Sequence, residues 1–211
     1  RTTFKGHVFS KNITYMLQLD GVDAGANGTI KEGWVGYNFI HDDNATIGLK
    51  FGQGKTGFGF DGSNPSSGLF FVERALATRV FADEYTRGAW LYGSYMKNQL
   101  RWMAGAQNGD VSKGTAVLDH GEETNNVDNE LSYELMVNFD PMGDYTGGKG
   151  NFGAKQGDLG DGTKDLLGTI GFGAFAGNGK TAAALNTPDT ESTCFNINTA
   201  WKVSGFQAQA E

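Results

Sequence analysis

The chain has 211 residues with a formal net charge of −7, a single cysteine (Cys194), 33 glycines and only 3 prolines. The acidic balance argues against nucleic acid as a partner, and one cysteine cannot form an internal disulfide. No apolar run approaches the roughly eighteen residues of a membrane helix, whereas high glycine and 38% apolar residues are typical of transmembrane barrels, in which every second strand residue faces lipid.

Strand patterns recur from one end of the chain to the other. In the fourth of them, Ala45, Ile47, Leu49 and Phe51 alternate with Thr46, Gly48, Lys50 and Gly52. A period of two with one apolar and one polar face indicates a half-buried strand, in a soluble sandwich or in a barrel wall. The sequence therefore predicts an all-β, antiparallel protein. About nine strands are expected, and the tail from Gly205 has the pattern of another; the nine cover 4–9, 13–20, 30–40, 45–54, 88–96, 99–107, 130–139, 166–176 and 193–203.

The two faces of these strands are expected to meet different surroundings. In a barrel the apolar set faces lipid and the polar set lines a water-filled lumen. Met136 alone breaks the alternation of its strand. Aromatic residues near strand ends, Trp34, Tyr37 and Trp90 among them, suit either interfacial girdles or a core. The expected lipid-facing set is Ile13, Leu17, Leu49, Leu135 and Ile197, and the expected lumen set is Thr14, Lys50, Glu134 and Asn198.

Connection lengths alternate roughly between short and long. Tight polar turns at 41–44 and 97–98 contrast with long connections at 55–86, 109–129, 141–164 and 177–191. Short turns at one rim and long loops at the other are typical of outer-membrane barrels, which have an even number of strands. We therefore expect residues 1–211 to form one barrel domain that does not close on itself.

The stretch from Lys31 to Asp110 contains a distinctive succession of elements: Gly52-Gln53, Lys55, Phe58-Gly59, Phe71 to Leu76, Phe81, Arg87 and Asn108-Gly109-Asp110. With these elements it resembles the phosphate-selective porin O and P family. The resemblance implies part of a trimeric outer-membrane barrel of roughly sixteen strands, of which this chain would be the N-terminal half. The net charge of −7 departs from a strongly phosphate-selective lining.

The resemblance also implies that the connection 55–86 folds into the channel and narrows it. Arg74 and Arg79 lie on this connection, and Lys50 is expected to point into the lumen beside it. Charged side chains at a constriction set the sign of the permeating ion, so these three residues, with Lys5 and Arg101 on neighbouring polar faces, are the candidate channel lining. For Arg74, an ion pair with Glu73 or a wall carboxylate is an equal alternative.

The sequence offers no arrangement for catalysis. No Ser-His-Asp, Cys-His or paired-carboxylate spacing is present, and the three histidines show no ligand spacing. We expect no enzyme, cofactor or metal site. The leading interpretation is a passive porin of the bacterial outer membrane, a homotrimer surrounded by lipid that passes small hydrophilic solutes, anions such as phosphate among them. The alternative is an extracellular structural or adhesive β-protein, from a surface layer or a fibre.

Overall fold

A computed structural model of the chain describes residues 2–20, 29–64, 85–108, 131–147, 165–179 and 190–211. These ranges hold ten strands and one short helix, α1 (Phe60–Ser63). All nine expected strands are present, and the tail forms the tenth. The strands are β1 (Thr2–His7), β2 (Ile13–Asp20), β3 (Thr29–His41), β4 (Thr46–Lys55), β5 (Tyr85–Tyr95), β6 (Leu100–Asn108), β7 (Ser132–Phe139), β8 (Leu167–Gly179), β9 (Thr190–Val203) and β10 (Phe206–Ala210).

The ten strands form one antiparallel sheet in chain order, each strand pairing with the next. This confirms the all-β, antiparallel class. Among the described strands β1 and β10 each have one neighbour, so the sheet is open, as predicted for these residues. In the part of the chain that the structure describes, no helix is long and apolar enough to cross a membrane.

The burial of the two faces is the reverse of that in a soluble protein. On β7, Leu135 is 41% exposed while the neighbouring Glu134 is 5% exposed. On β9, Ile197 is 73% exposed while Asn198 is 1% exposed. We call the side carrying Glu134, Asn198 and Lys50 the polar face and the opposite side the apolar face. A soluble sandwich packs its apolar faces together, so this arrangement suits a sheet whose apolar side meets lipid.

Each of the four tryptophans lies opposite a glycine on a paired strand. At three of the pairs the glycine makes room for the indole ring of its partner: a Cβ atom added at the glycine would come within 2.2 to 2.7 Å of the ring. These three glycines therefore accommodate aromatic rings within the sheet. The three pairs are Trp90–Gly105, Trp102–Gly93 and Trp201–Gly168.

The strand ends divide the sheet into a short-turn end and a long-loop end. The connections 8–12, 42–45, 96–99 and 204–205 lie at the short-turn end, and 21–28, 56–84, 109–131 and 180–189 lie at the opposite end. The connection 140–166 breaks this rule, because it is long but follows β7 at the short-turn end. Its first residues, 140–147, are described; Asp140, Tyr145 and Thr146 are buried there, whereas Pro141, Met142 and Gly147 are exposed.

Candidate channel constriction

The end of β4 is shaped by the residues that carry the family resemblance. Gly52 has φ of +132°, and a Cβ there would lie 2.3 Å from the carbonyl oxygen of Gly33. Only glycine fits such a close backbone approach. The next side chain, Gln53, donates from Nε2 to the carbonyl oxygens of Ile30 (2.6 Å) and Lys31 (3.2 Å) and accepts from Nε of Arg87 (3.2 Å). These contacts attach the end of β4 to both neighbouring strands, β3 and β5.

Lys55 then holds the chain in a tight loop. Its Nζ donates to the carbonyl oxygens of Asn64 (2.8 Å) and Gly62 (3.4 Å), at the C-terminal end of α1. A lysine satisfies orphan carbonyls at such an end. Gly59, at φ +80°, begins the helix in a conformation that favours glycine. The sequence element therefore folds residues 56–64 back across the sheet, and we call these residues the inward segment.

The inward segment is seated on the polar face by a hydrogen bond and a close contact. The backbone N–H of Gly57 donates to Oε2 of Glu134 (3.0 Å). A Cβ at Gly57 would lie 2.4 Å from Cε of Met103 and 3.5 Å from Cβ of Met136, so the backbone rests directly on two methionines. Met136, the one residue that breaks the alternation of its strand, thus forms with Met103 an apolar contact surface for the inward segment.

Two aromatic contacts extend this seat, one level with Glu134 and the other near the short-turn end. Phe58 meets Phe175 edge to face at 6.1 Å between ring centroids, with Cys194 packed beside them. Phe60 meets Tyr145 at 6.3 Å, in a cluster with Ala200. The inward segment therefore crosses the polar face from Glu134 on β7 to the residues near the opposite end of the sheet.

Lys50 lies on the polar face between two indole rings. Its Nζ is 5.0 Å from the ring centroid of Trp90 and 5.9 Å from that of Trp34, within the range of cation–π attraction. Glu134 and Glu32 act on it electrostatically. Trp90 is fully buried, so it belongs to the packing of the polar face and not to an outer aromatic girdle.

Arg101 also lies on the polar face and is 1% exposed. Both terminal nitrogens pair with the carboxylate of Asp140, with Nη2 2.8 Å from Oδ1. Nη1 donates to the carbonyl oxygen of Asn98 (2.6 Å) and Nη2 to Oγ1 of Thr169 (3.4 Å). Both terminal nitrogens of its guanidinium are thus hydrogen-bonded to neighbouring groups of the protein.

Of the remaining candidate lining residues, the structure describes only Lys5. Lys5 lies on β1, paired with Met16, and is exposed. Arg74 and Arg79 lie outside the described residues, within the stretch Leu69 to Phe81 whose apolar spacing predicts a short helix or folded turn. Their roles stay predictions.

Sequence reasoning missed Asp140 and Tyr145. Both are fully buried, although they belong to a connection rich in glycine and aspartate. An aspartate directly after a strand, followed by a tyrosine five residues later, was the available signal. It could not identify Arg101 as the partner, because the two residues are 39 positions apart.

Comparison with known proteins agrees with these features. The family model for phosphate-selective porin O and P matches residues 4–154. No curated protein and no solved structure gives a significant match. The matched range contains Gly52, the whole inward segment, and Glu134, Met136 and Tyr145 of the surface that seats it, whereas Phe175, Cys194 and Ala200 lie beyond it. The chain belongs to the phosphate-selective porin O and P family.

Proposed function

We propose that this chain forms part of the wall of a passive diffusion channel in the bacterial outer membrane, narrowed by the connection 55–86. The reversed burial of the sheet carries the proposal. Exposed Ile197 and Leu135 on one side suit lipid, and buried Glu134 and Asn198 on the other suit a polar interior.

The inward segment supports the position of the constriction. Residues 56–64 are anchored on the polar face through Gly57, Phe58 and Phe60, so the connection enters the interior immediately after β4. We infer that the rest of the connection, with Arg74 and Arg79, stays in the channel, because its apolar residues need a surface that bulk water does not provide.

The solutes are proposed to be small and hydrophilic, anions such as phosphate among them. Two of the cations on the polar face have acidic neighbours: Lys50 lies near Glu134 and Glu32, and Arg101 pairs with Asp140. Such neighbours weaken the preference of these two sites for a passing anion. The selectivity therefore depends on Arg74 and Arg79, since charges at a narrow, low-dielectric passage act most strongly on a passing ion.

The protein is proposed to work as a homotrimer surrounded by outer-membrane lipid, as the family resemblance implies. Unheated and heated samples of the purified full-length protein should then differ in electrophoretic mobility. Extraction without detergent would instead favour the extracellular structural or adhesive alternative.

Planar bilayers test the channel directly. The full-length protein should conduct, and reversal potentials in a salt gradient should shift towards cation preference in Arg74→Ala and Arg79→Ala. Lys113→Ala, a matched loss of positive charge on another long connection, should leave the reversal potential unchanged. Equal shifts of the reversal potential in all three variants would show that the connection 55–86 does not form the constriction. A full-length protein that does not conduct would contradict the proposed function as a whole.

A further inference from the structure

We propose that the channel is narrowed from both ends. Residues 140–147, which we call the short-turn segment because they lie at the short-turn end of the sheet, form a second inward element. This element fixes the position of the inward segment. This inference rests on the proposed function. It concerns a different connection, at the opposite end of the sheet from the family's long loop.

The burial of the short-turn segment distinguishes it from its neighbours. The turn 42–45, at the same end, is exposed at Asp42. In the short-turn segment Asp140 and Tyr145 are fully buried and Thr146 is 8% exposed. A connection that merely joined β7 to β8 would lie in solvent, because loops carry polar backbone groups. This one is folded onto the polar face instead.

Asp140 holds the segment in that position. Its Oδ2 accepts from the backbone N–H of Tyr145 (2.8 Å), which closes the chain into a compact turn. Both carboxylate oxygens pair with Arg101, which also donates to the carbonyl oxygen of Asn98 in the adjacent turn. Paired, charge-assisted bonds of this kind are strong and directional. The segment is therefore attached to the wall at one residue with several bonds.

Tyr145 is the point where the two inward elements meet. Its ring packs against Phe60 of the inward segment, 6.3 Å between centroids, and Nζ of Lys202 lies 4.7 Å from its ring centroid. Glu134 anchors the inward segment two residues inside one end of β7, and Asp140 anchors the short-turn segment directly beyond the other. The two elements together thus reach along the full length of that strand.

The arrangement makes Asp140 a positioning residue for the constriction. Neutralising it leaves the buried Arg101 with only the more distant carboxylate of Asp144, 3.9 Å from Nη1, and this loss of the close ion pair disfavours the packed state of the segment. Tyr145 then withdraws, and the inward segment loses its aromatic support at Phe60 and keeps the hydrogen bonds that join Asp61 to Gln209 and Glu211. A wider and less stable passage should result.

Single-channel recordings of the full-length protein test this. We expect Asp140→Asn to raise conductance about twofold, with added transitions between levels, because the narrowest part of a pore dominates its resistance. Tyr145→Ala should act in the same direction without touching the ion pair. Asp42→Asn is the matched control, since Asp42 also accepts backbone N–H groups in a turn at this end but contacts no inward element. Equal conductance in Asp140→Asn and Asp42→Asn would overturn the inference.

Cross-linking separates this inference from the proposed function. In a Cys194→Ser background, Phe60→Cys combined with Tyr145→Cys should be joined by a short bis-maleimide, and Phe60→Cys combined with Asp42→Cys should not. The yield for the first pair should fall when Asp140→Asn is added. Absence of the first product would overturn the inference even in a conducting protein. If the first product forms in a protein that does not conduct, the contact between the inward segment and the short-turn segment is supported and the proposed function is contradicted.

Discussion

The two faces of the sheet differ in what holds their side chains in place. On the polar face Arg101, Trp90 and Met136 are at most 1% exposed and packed by other parts of the chain. On the apolar face Phe195 and Ile197 are 70% and 73% exposed. Unique packing and charge pairing are therefore concentrated on the polar side, whereas the apolar side depends on its surrounding solvent. Substitutions on the two faces should accordingly fail for different reasons.

The largest effect is expected from Arg101→Ala on the polar face. Removal of one partner of a buried ion pair costs about 3–5 kcal/mol, because the remaining charge of Asp140 is left buried without compensation. Denaturant unfolding of the full-length protein in lipid vesicles measures this loss. The double variant Arg101→Ala with Asp140→Asn should recover part of the stability. A double variant as unstable as the sum of both single changes would contradict the pairing.

A charge on the apolar face should come next. Leu49→Arg places a cation where lipid is expected, at a cost of about 2–4 kcal/mol near the bilayer midplane. Lys50→Arg, one residue away on the polar face, should change folding less, because it keeps a positive charge beside Glu134 and Glu32. The same vesicle unfolding assay compares the two variants. If Leu49→Arg costs no more than Lys50→Arg, the apolar face does not meet lipid.

Two glycines under tryptophan rings give a finer comparison. A Cβ at Gly105 would lie 2.2 Å from Trp90, and a Cβ at Gly168 would lie 2.3 Å from Trp201. Overpacking costs about 1–3 kcal/mol where the neighbour cannot move. Trp90 is fully buried on the polar face, whereas Trp201 is only half-buried. Gly105→Ala should therefore destabilise the protein more than Gly168→Ala. Equal losses would mean that both faces are packed alike.

Spin labels report the surroundings of each face directly, without a measurement of stability. Labels at Ile13, Leu49 and Ile197 should be accessible to oxygen, and labels at Thr14 and Lys50 to a water-soluble quencher, each in a Cys194→Ser background. Lipid dissolves oxygen and excludes polar quenchers, so the two sets should separate. Sets that behave alike would contradict a barrel wall.

The smallest effect concerns Asp42, in an exposed turn outside the strands. Backbone N–H groups of Asn44 and Ala45 donate to its carboxylate and lower its pKa below the ordinary 3.8. Because the folded pKa is the lower one, the stabilisation is present above the ordinary pKa and is lost as the pH falls through the folded pKa. Asp42→Asn should therefore unfold slightly earlier than the parent at neutral pH and together with it in strong acid. A difference that persists in acid would assign the effect to something other than this charge.

Much of the wall could be predicted because it follows from local rules. The alternation around Lys50 located a strand and its two faces, because a period of two can be recognised from consecutive residues alone. The family elements near Gly52 and Lys55 predict that the connection after β4 folds into the channel. The structure shows that residues 56–64 lie on the polar face, with a close backbone approach at Gly52 and two bonds from Lys55 to the carbonyl oxygens of Gly62 and Asn64.

The contacts of the short-turn segment could not be predicted in the same way. Arg101 was identified as a polar-face residue, but its pairing with Asp140 depends on the register of β6 against β7 and on a connection that folds inward. The length pattern of the connections also suggested that long loops occupy one end only. Tyr145 lies in the exception, and no period or spacing marks a long-range contact with Phe60.

The simple order of the sheet has a consequence for how such a chain can change over evolutionary time. Every strand pairs with its neighbours in sequence, so loss or duplication of one hairpin removes or adds two strands and leaves the direction and facing of all later strands intact. Loss of a single strand would reverse every strand after it and carry each later connection to the opposite membrane surface. The heritable unit of this architecture is therefore the hairpin, and the pore can widen or narrow by whole hairpins.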